Sequence, residues 1–238
     1  DAQESRGLGD VYKRQHHLPN YSVFDEYRVF VPGQNLLTFE LHGLKFATVI
    51  CEDIWQSGGP VAQIASANVD LTLVLNGSPF ETSKTDSRLE LVQSLARNQS
   101  TAVAYVNLVG GQDDLVFDGD SFVVDESGKQ ILRAEQFKED LSIFDIESKS
   151  KVTAVTASAD PKAPIEQIWD ALVLGLGDYV RKNGFASVVL GLSGGIDSAV
   201  CASIAVDALG PKNVFGVAMP SKYSSEHSLT DARSLAQN

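Results

Sequence analysis

The chain has 238 residues, 43% hydrophobic and 21% charged, enough to bury a sizeable core as one large domain or two. Lys and Arg number 19 against 31 Asp and Glu, and the formal charge of −12 has the wrong sign for a protein that grips nucleic acid by general electrostatics. No apolar run approaches the roughly 18 to 20 residues that span a bilayer, so no membrane partner is expected; Cys51 and Cys201 form neither a disulfide framework nor a paired metal motif, which fits a reducing, cytoplasmic setting.

The first fifteen residues, DAQESRGLGDVYKRQ, have neither helical nor strand periodicity and no signal-peptide core. They read as foreign: SRGLGDVYKRQ (5–15) looks like a translated sequencing-library adapter, so the native sequence is expected from His16. LLTFELHGLKFATVI (36–50) predicts two strands around a His42-Gly43 turn, the second ending at Cys51. A short helix is expected over 60–68, a buried strand at LTLVL (71–75), and a break at NGSPF (76–80). Lys84 to Asn98 carries Leu89, Val92, Leu95 and Ala96 at helical spacing, and AVAYVNLV (102–109) is a further buried strand. A GGQDD loop follows, then DSFVVDESGKQIL alternates around a turn at Glu126–Lys129, and LSIFDI (141–146) reads as a strand.

Composition shifts at 147–164, ESKSKVTAVTASADPKAP, a linker candidate. Beyond it, Ile165 to Asn183 has a helical apolar stripe ended by Gly184, and SVVLGLSGGIDSAVCASIAVDALG reads as strand, glycine loop, helix. NVFGVAMP is the next strand and SLTDARSLAQ opens another helix, which stops in mid-course; this alternation predicts a parallel sheet.

Gly191 to Ser198, GLSGGIDS, sits where a buried strand meets a helix N-terminus, so its amides can converge on a phosphate in the field of the helix dipole. Gly194 and Gly195 admit close backbone approach, and Ser193 and Ser198 offer hydroxyls. Asp197 would repel a phosphate directly but suits Mg²⁺, which takes one or two carboxylates with phosphate oxygens. The stretch is neither GxxxxGK(S/T) nor GxGxxG.

SGGIDS resembles the pyrophosphate-binding loop of the ATP pyrophosphatases, and MPSKYSSEHSLTDARSLAQN (219–238) resembles NAD synthetase. HHLPNYSVFDEYRVFVPG (16–33) and ICEDIW (50–55) resemble the nitrilase-type amidases, in the form fused to NAD synthetase. Two independent motif sets in the family's order make the resemblance specific.

The resemblance implies an α/β fold: a partial nitrilase-like α-β-β-α sandwich over 16–147, a linker over 148–164, and the start of a doubly wound parallel-sheet domain over 165–238. It implies Cys51 as the nucleophile toward a carboxamide, with the Glu52 amide NH as an oxyanion donor, and Tyr21, Ser78 and Lys84 as glutamine-binding residues. Gly191, Leu192, Ser193, Gly194, Gly195, Ile196, Asp197 and Ser198 would bind ATP, with Asp197 on the metal. The implied reaction takes glutamine, ATP and deamido-NAD, in a parent expected to be a homo-oligomer. Two alternatives stay open: an amidase fused to a different amide-forming ATP pyrophosphatase, and a non-catalytic nucleotide-binding module. The family uses a Glu, Lys, Cys triad; its lysine, three residues before the Leu-Pro pair, falls at Gln15, and its upstream glutamate has no counterpart. No appreciable glutaminase activity is therefore expected of this chain.

Overall fold

A computed structural model describes residues 15–82, 84–219 and 226–237. The chain opens its main sheet with β1 (Leu37–Leu41) and β2 (Leu44–Ile50), antiparallel about His42 and Gly43, both at positive φ. A 3-10 turn, Cys51–Ile54, ends β2, and a second, Gly59–Gln63, runs into the short α1 (Ile64–Ala67). β3 (Leu71–Asn76), α2 (Lys84–Gln99) and β4 (Ala102–Asn107) follow, and β2, β3 and β4 lie parallel, with Phe46 opposite Leu71 and Leu71 opposite Ala102. Next come the paired strands β5 (Val109–Gln112) and β6 (Leu115–Asp118), then β7 (Phe122–Val124) and β8 (Gln130–Arg133). The sheet order is β1-β2-β3-β4-β7-β8.

Strand alternation divides this sheet's side chains between two cores. On one face Ala47, Val49, Val74, Val103 and Tyr105 pack with Val92, Leu95 and Ala96 of α2. On the other, Leu71, Ala102, Ala104, Val123 and Leu132 pack under the antiparallel hairpin of β9 (Phe144–Ser148) and β10 (Lys151–Ala154). A helical layer, a mixed sheet and a β layer give the α/β sandwich class its physical content.

The second unit holds α3 (Pro164–Lys182), β11 (Val188–Gly191), α4 (Ile196–Leu209), β12 (Val214–Val217) and α5 (Glu226–Gln237). β11 and β12 are parallel, with α4 between them in sequence, as the alternating pattern predicts. Leu192, Ala202 and Ala232 form its small core.

Three expectations are corrected. The linker over 148–164 begins too early: Lys151–Ala154 is strand β10, and Val152 is buried in the sheet core. Alternation of Val152 and Ala154 with Lys151 and Thr153 is hidden there by a Ser/Thr/Lys-rich composition. The GGQDD loop is partly strand, and the chain divides as Asp1–Val109 with Asp118–Pro161, and Gly110–Phe117 with Lys162–Asn238. Gly111 makes that possible: its amide donates to Asp178 at 2.8 Å, and a methyl on it would meet the Gly175 Cα at 2.9 Å, so only glycines let the strand lie this close to α3. Finally, the strand expected from Leu141 starts at Phe144, and Leu141 is exposed. Residues 1–14 of the segment read as foreign, and 220–225 of the NAD-synthetase-like stretch, lie outside the described residues.

Candidate active site

β2 delivers Cys51 at its C-terminal end, and the chain turns there at once, with Cys51 at φ 39. A non-glycine residue in that region is strained, and such turns recur where a nucleophile is presented. The turn is pinned by Asp53, which is fully buried. Its carboxylate accepts from the amides of Ile50 at 3.1 Å, His16 at 2.9 Å and His17 at 2.8 Å. Those bonds tie the His16–His17 segment to the residues flanking Cys51. Burial raises the Asp53 carboxyl above the usual carboxylate range, and the three amide donors pull it back down.

Cys51 opens on a cleft of about 380 Å³ whose walls include Tyr21, Phe24, Glu52, Trp55, Ser78 and Lys84. The structure thus brings together the expected nucleophile and all three expected glutamine-binding residues. Their roles differ in detail. The Tyr21 hydroxyl donates to Glu52 at 2.7 Å; burial, then Glu52, pushes this phenol up to about 12. Lys84 pairs with Glu81 at 2.9 Å. Ser78 is buried and held from three sides: its amide donates to Asn107 at 2.9 Å, its carbonyl accepts from Arg88 at 3.0 Å, and its hydroxyl accepts from Arg88 at 3.2 Å.

Arg88, on α2, is the fastening that the residue-type reasoning missed. It is 1% exposed and grips Asp118 with Nη1 at 2.9 and 2.7 Å, while Nη2 also reaches the Pro79 carbonyl at 2.9 Å. Asn107 closes the network by donating to Asp118 at 3.2 Å. The signal was present: Arg88 lies four residues before Val92, on the apolar stripe of α2, where a charge has to be paired.

Burial, and then Glu52, push the Cys51 thiol up to about 11, against the opposing pull of Lys84, the Gly77 amide and Arg88. Gln15, where the resemblance places a lysine, is 3% exposed, and its side-chain amide donates to the Ile50 carbonyl at 3.4 Å. The position is therefore next to the strand end that carries Cys51, but its side chain has no charge.

In the second unit, Gly191 to Ser198 joins β11 to α4. Ser193 Oγ lies 3.1 Å from Ser198 Oγ and accepts from the Gly195 amide at 3.2 Å, so the hydroxyls rigidify one another at the mouth of the loop. Asp197, in the first turn of α4, is exposed. No cluster of three or more His, Cys, Asp or Glu suited to a metal occurs among the described residues. Within Gly191–Ser198 the one carboxylate is that of Asp197, a donor type that would suit a Mg²⁺ shared with a nucleotide's phosphates.

Gly194 has φ 80, and a methyl there would overlap the backbone of Ser228 in α5. Gly194→Ala is expected to cost about 2 kcal/mol or more through left-handed strain and displacement of α5. Denaturation followed by Trp169, the tryptophan of the second unit, in a Trp55→Phe background checks this.

Comparison with known proteins meets this geometry from both sides. Carbon-nitrogen hydrolase matches residues 4–154 and NAD synthase matches residues 168–238, the first match opening inside the fifteen-residue segment set apart above. The chain belongs to the carbon-nitrogen hydrolase family and carries an NAD synthase segment after it. It is 46% identical over 229 residues to the glutamine-dependent NAD(+) synthetase of Acinetobacter baylyi, covering 95% of this chain and 42% of that protein. The enzyme of the same description from Aquifex aeolicus is 43% identical, over 96% of this chain and 46% of that one. The structure of glutamine-dependent NAD+ synthetase from Acinetobacter baumannii in complex with ADP superposes with a TM-score of 0.86 at 47% identity, over 92% of this chain and 41% of that chain. The chain thus spans less than half the length of the relatives it matches.

Proposed function

We propose that the chain is part of a glutamine-dependent NAD synthetase. The observation that carries the reading is the presence, in one chain, of a strand-end cysteine in a cleft and a glycine loop at a helix N-terminus, each within the matching family segment.

In the first unit of the completed chain, the Cys51 thiolate attacks the side-chain carboxamide of glutamine, the proton taken from the thiol by the base of the triad passes to the amide nitrogen, and the tetrahedral oxyanion collapses to a thioester as ammonia departs; water then hydrolyses the thioester. Lys84 suits the α-carboxylate of that substrate, and Tyr21 and Ser78 form the walls beside it. In the second unit, the nicotinate carboxylate of deamido-NAD attacks the α-phosphorus of ATP and pyrophosphate departs. Ammonia then displaces AMP from the adenylate to give the amide. Activation is needed because a carboxylate is a poor electrophile. Amides and hydroxyls of Gly191–Ser198 stabilise the charge that grows on the departing pyrophosphate. Mg²⁺, held by Asp197 when bound, would neutralise phosphate charge.

The reading is tested in the chain completed to the length of its relatives and carrying Gln15→Lys, by following NAD, AMP and pyrophosphate with either glutamine or ammonium as nitrogen source. Replacing Ser193, Asp197 and Ser198 together by alanine should cut both activities by about a hundredfold or more, while Cys51→Ala should abolish the glutamine-driven one alone. Normal NAD formation by the triple variant would overturn the assignment.

A further inference from the structure

Asp53 carries more hydrogen bonds than the turn that holds it requires. Capping the 3-10 turn that opens at Cys51 takes one bond, from the Ile50 amide to one carboxylate oxygen at 3.1 Å. The other oxygen accepts from two consecutive amides far upstream, His16 at 2.9 Å and His17 at 2.8 Å. Asp53 is fully buried, and no ion pair to it occurs among the described residues. Burying a carboxylate without a counter-ion is costly, and here three backbone amides do the compensating.

Residues 15–17 belong to no strand or helix, so no ladder of backbone bonds fixes them against β2. Within their own segment they are held to Gly33, whose amide donates to the Gln15 carbonyl at 2.7 Å and whose carbonyl accepts from His16 Nδ1 at 2.9 Å. Among the described residues, two ties hydrogen-bond them to the end of β2: the Asp53 carboxylate, and the Gln15 side chain on the Ile50 carbonyl at 3.4 Å. The second belongs to the side chain whose placement is at issue, so the backbone at position 15 takes its place relative to Cys51 from Asp53. A neutral carboxamide cannot take over that task. Three amide donors converge on the carboxylate, whereas asparagine offers one oxygen and sets its NH₂ against the remaining donor.

We propose that Asp53 is a positioning residue for the nucleophile: it sets the residue at position 15 against the Cys51 thiol, so that a cation there acts on the sulfur. The proposal rests on the reading of Cys51 as nucleophile and adds the group that arranges its surroundings. Asp53 acts from beneath the turn, through the backbone of residues 16, 17 and 50.

The test compares alkylation of Cys51 by iodoacetamide across pH in four Cys201→Ser proteins, with and without Gln15→Lys, each carrying either Asp53 or Asp53→Asn. Taking the ratio of the two lysine effects cancels whatever Asp53→Asn does to the thiol directly. With Asp53 in place, Gln15→Lys is expected to quicken alkylation at pH 8 by about tenfold or more and to lower the midpoint of the profile; with Asp53→Asn the gain should shrink to about threefold or less. An equal gain in both backgrounds would overturn the proposal, since a merely structural carboxylate changes stability and leaves the lysine effect alone. No gain with Asp53 in place would instead bring down the assignment of position 15, and this inference with it. Urea denaturation shows whether Asp53→Asn folds. Should it not, Asp53→Ser, whose hydroxyl accepts from an amide and leaves room for water, takes its place in the comparison, and failure of both to fold would overturn the proposal by making Asp53 a residue of stability alone.

Discussion

Replacing Asp118 by alanine is expected to unfold the first unit at room temperature or bring it to the edge of unfolding. Arg88 is 1% exposed and would be left with its charge unmatched. Breaking a buried pair from one side costs about 3 to 5 kcal/mol, against a total stability of about 5 to 15 kcal/mol for a typical domain. The damage would not stop at the pair. Arg88 holds the carbonyls of Ser78 and Pro79, so the part of the cleft wall that these two residues form loses its anchor together with α2. Urea denaturation followed by tryptophan fluorescence in a Trp169→Phe background checks this, because Trp55 then reports the first unit alone. A double replacement, Arg88→Met with Asp118→Leu, removes the unmatched charge but should recover only part of the loss, since the Pro79 carbonyl and the Ser78 hydroxyl also lose their Arg88 donor. A single Asp118→Ala variant with an unchanged midpoint would show that the pair contributes nothing.

The elements that were legible in the sequence are those with an unambiguous period. β2, β3 and β4 read as continuous apolar runs because both faces of the sheet are covered there, and α2 and α3 read from their stripes. β10 was lost because a two-strand hairpin needs one apolar face only, and Val152 with Ala154 supplies it from a segment whose composition looks like a tether. The transfer of Gly110–Phe117 to the second unit could not be read locally. It depends on Asp178 and Gly175, which lie more than sixty positions downstream of Gly111. The site divides in the same manner. Cys51, Tyr21, Ser78 and Lys84 were recognisable from motifs, whereas Asp53, Arg88, Asp118 and Asn107 act through partners remote in sequence, and only the fold identifies them.

Cys51 is expected to be unreactive at neutral pH, and ammonia release from glutamine by this chain to stay at background. With the thiol pushed up to about 11, the thiolate makes up only about one part in ten thousand at pH 7. In the Cys201→Ser protein, alkylation of Cys51 should therefore rise about tenfold per pH unit and level off only near pH 11. The same shift acts on stability, and its sign follows from proton counting. The ordinary value is 9.0, so above that pH the unfolded chain releases the proton while the folded one still holds it. The stabilising contribution is complete below pH 9 and is lost as pH rises through 11, by up to about 3 kcal/mol, and Cys51→Ser should remove that alkaline decline. Gln15→Lys carries the argument further. A lysine whose ammonium took the place of the Gln15 amide, beside the Ile50 carbonyl and one residue from the thiol, would favour the thiolate by about one to three pH units. Alkylation at pH 8 should then quicken by about tenfold or more. An alkylation profile unmoved by Gln15→Lys would show that position 15 does not govern the nucleophile, and glutamine turnover at an enzyme's rate without that lysine would show that Cys51 finds its base elsewhere.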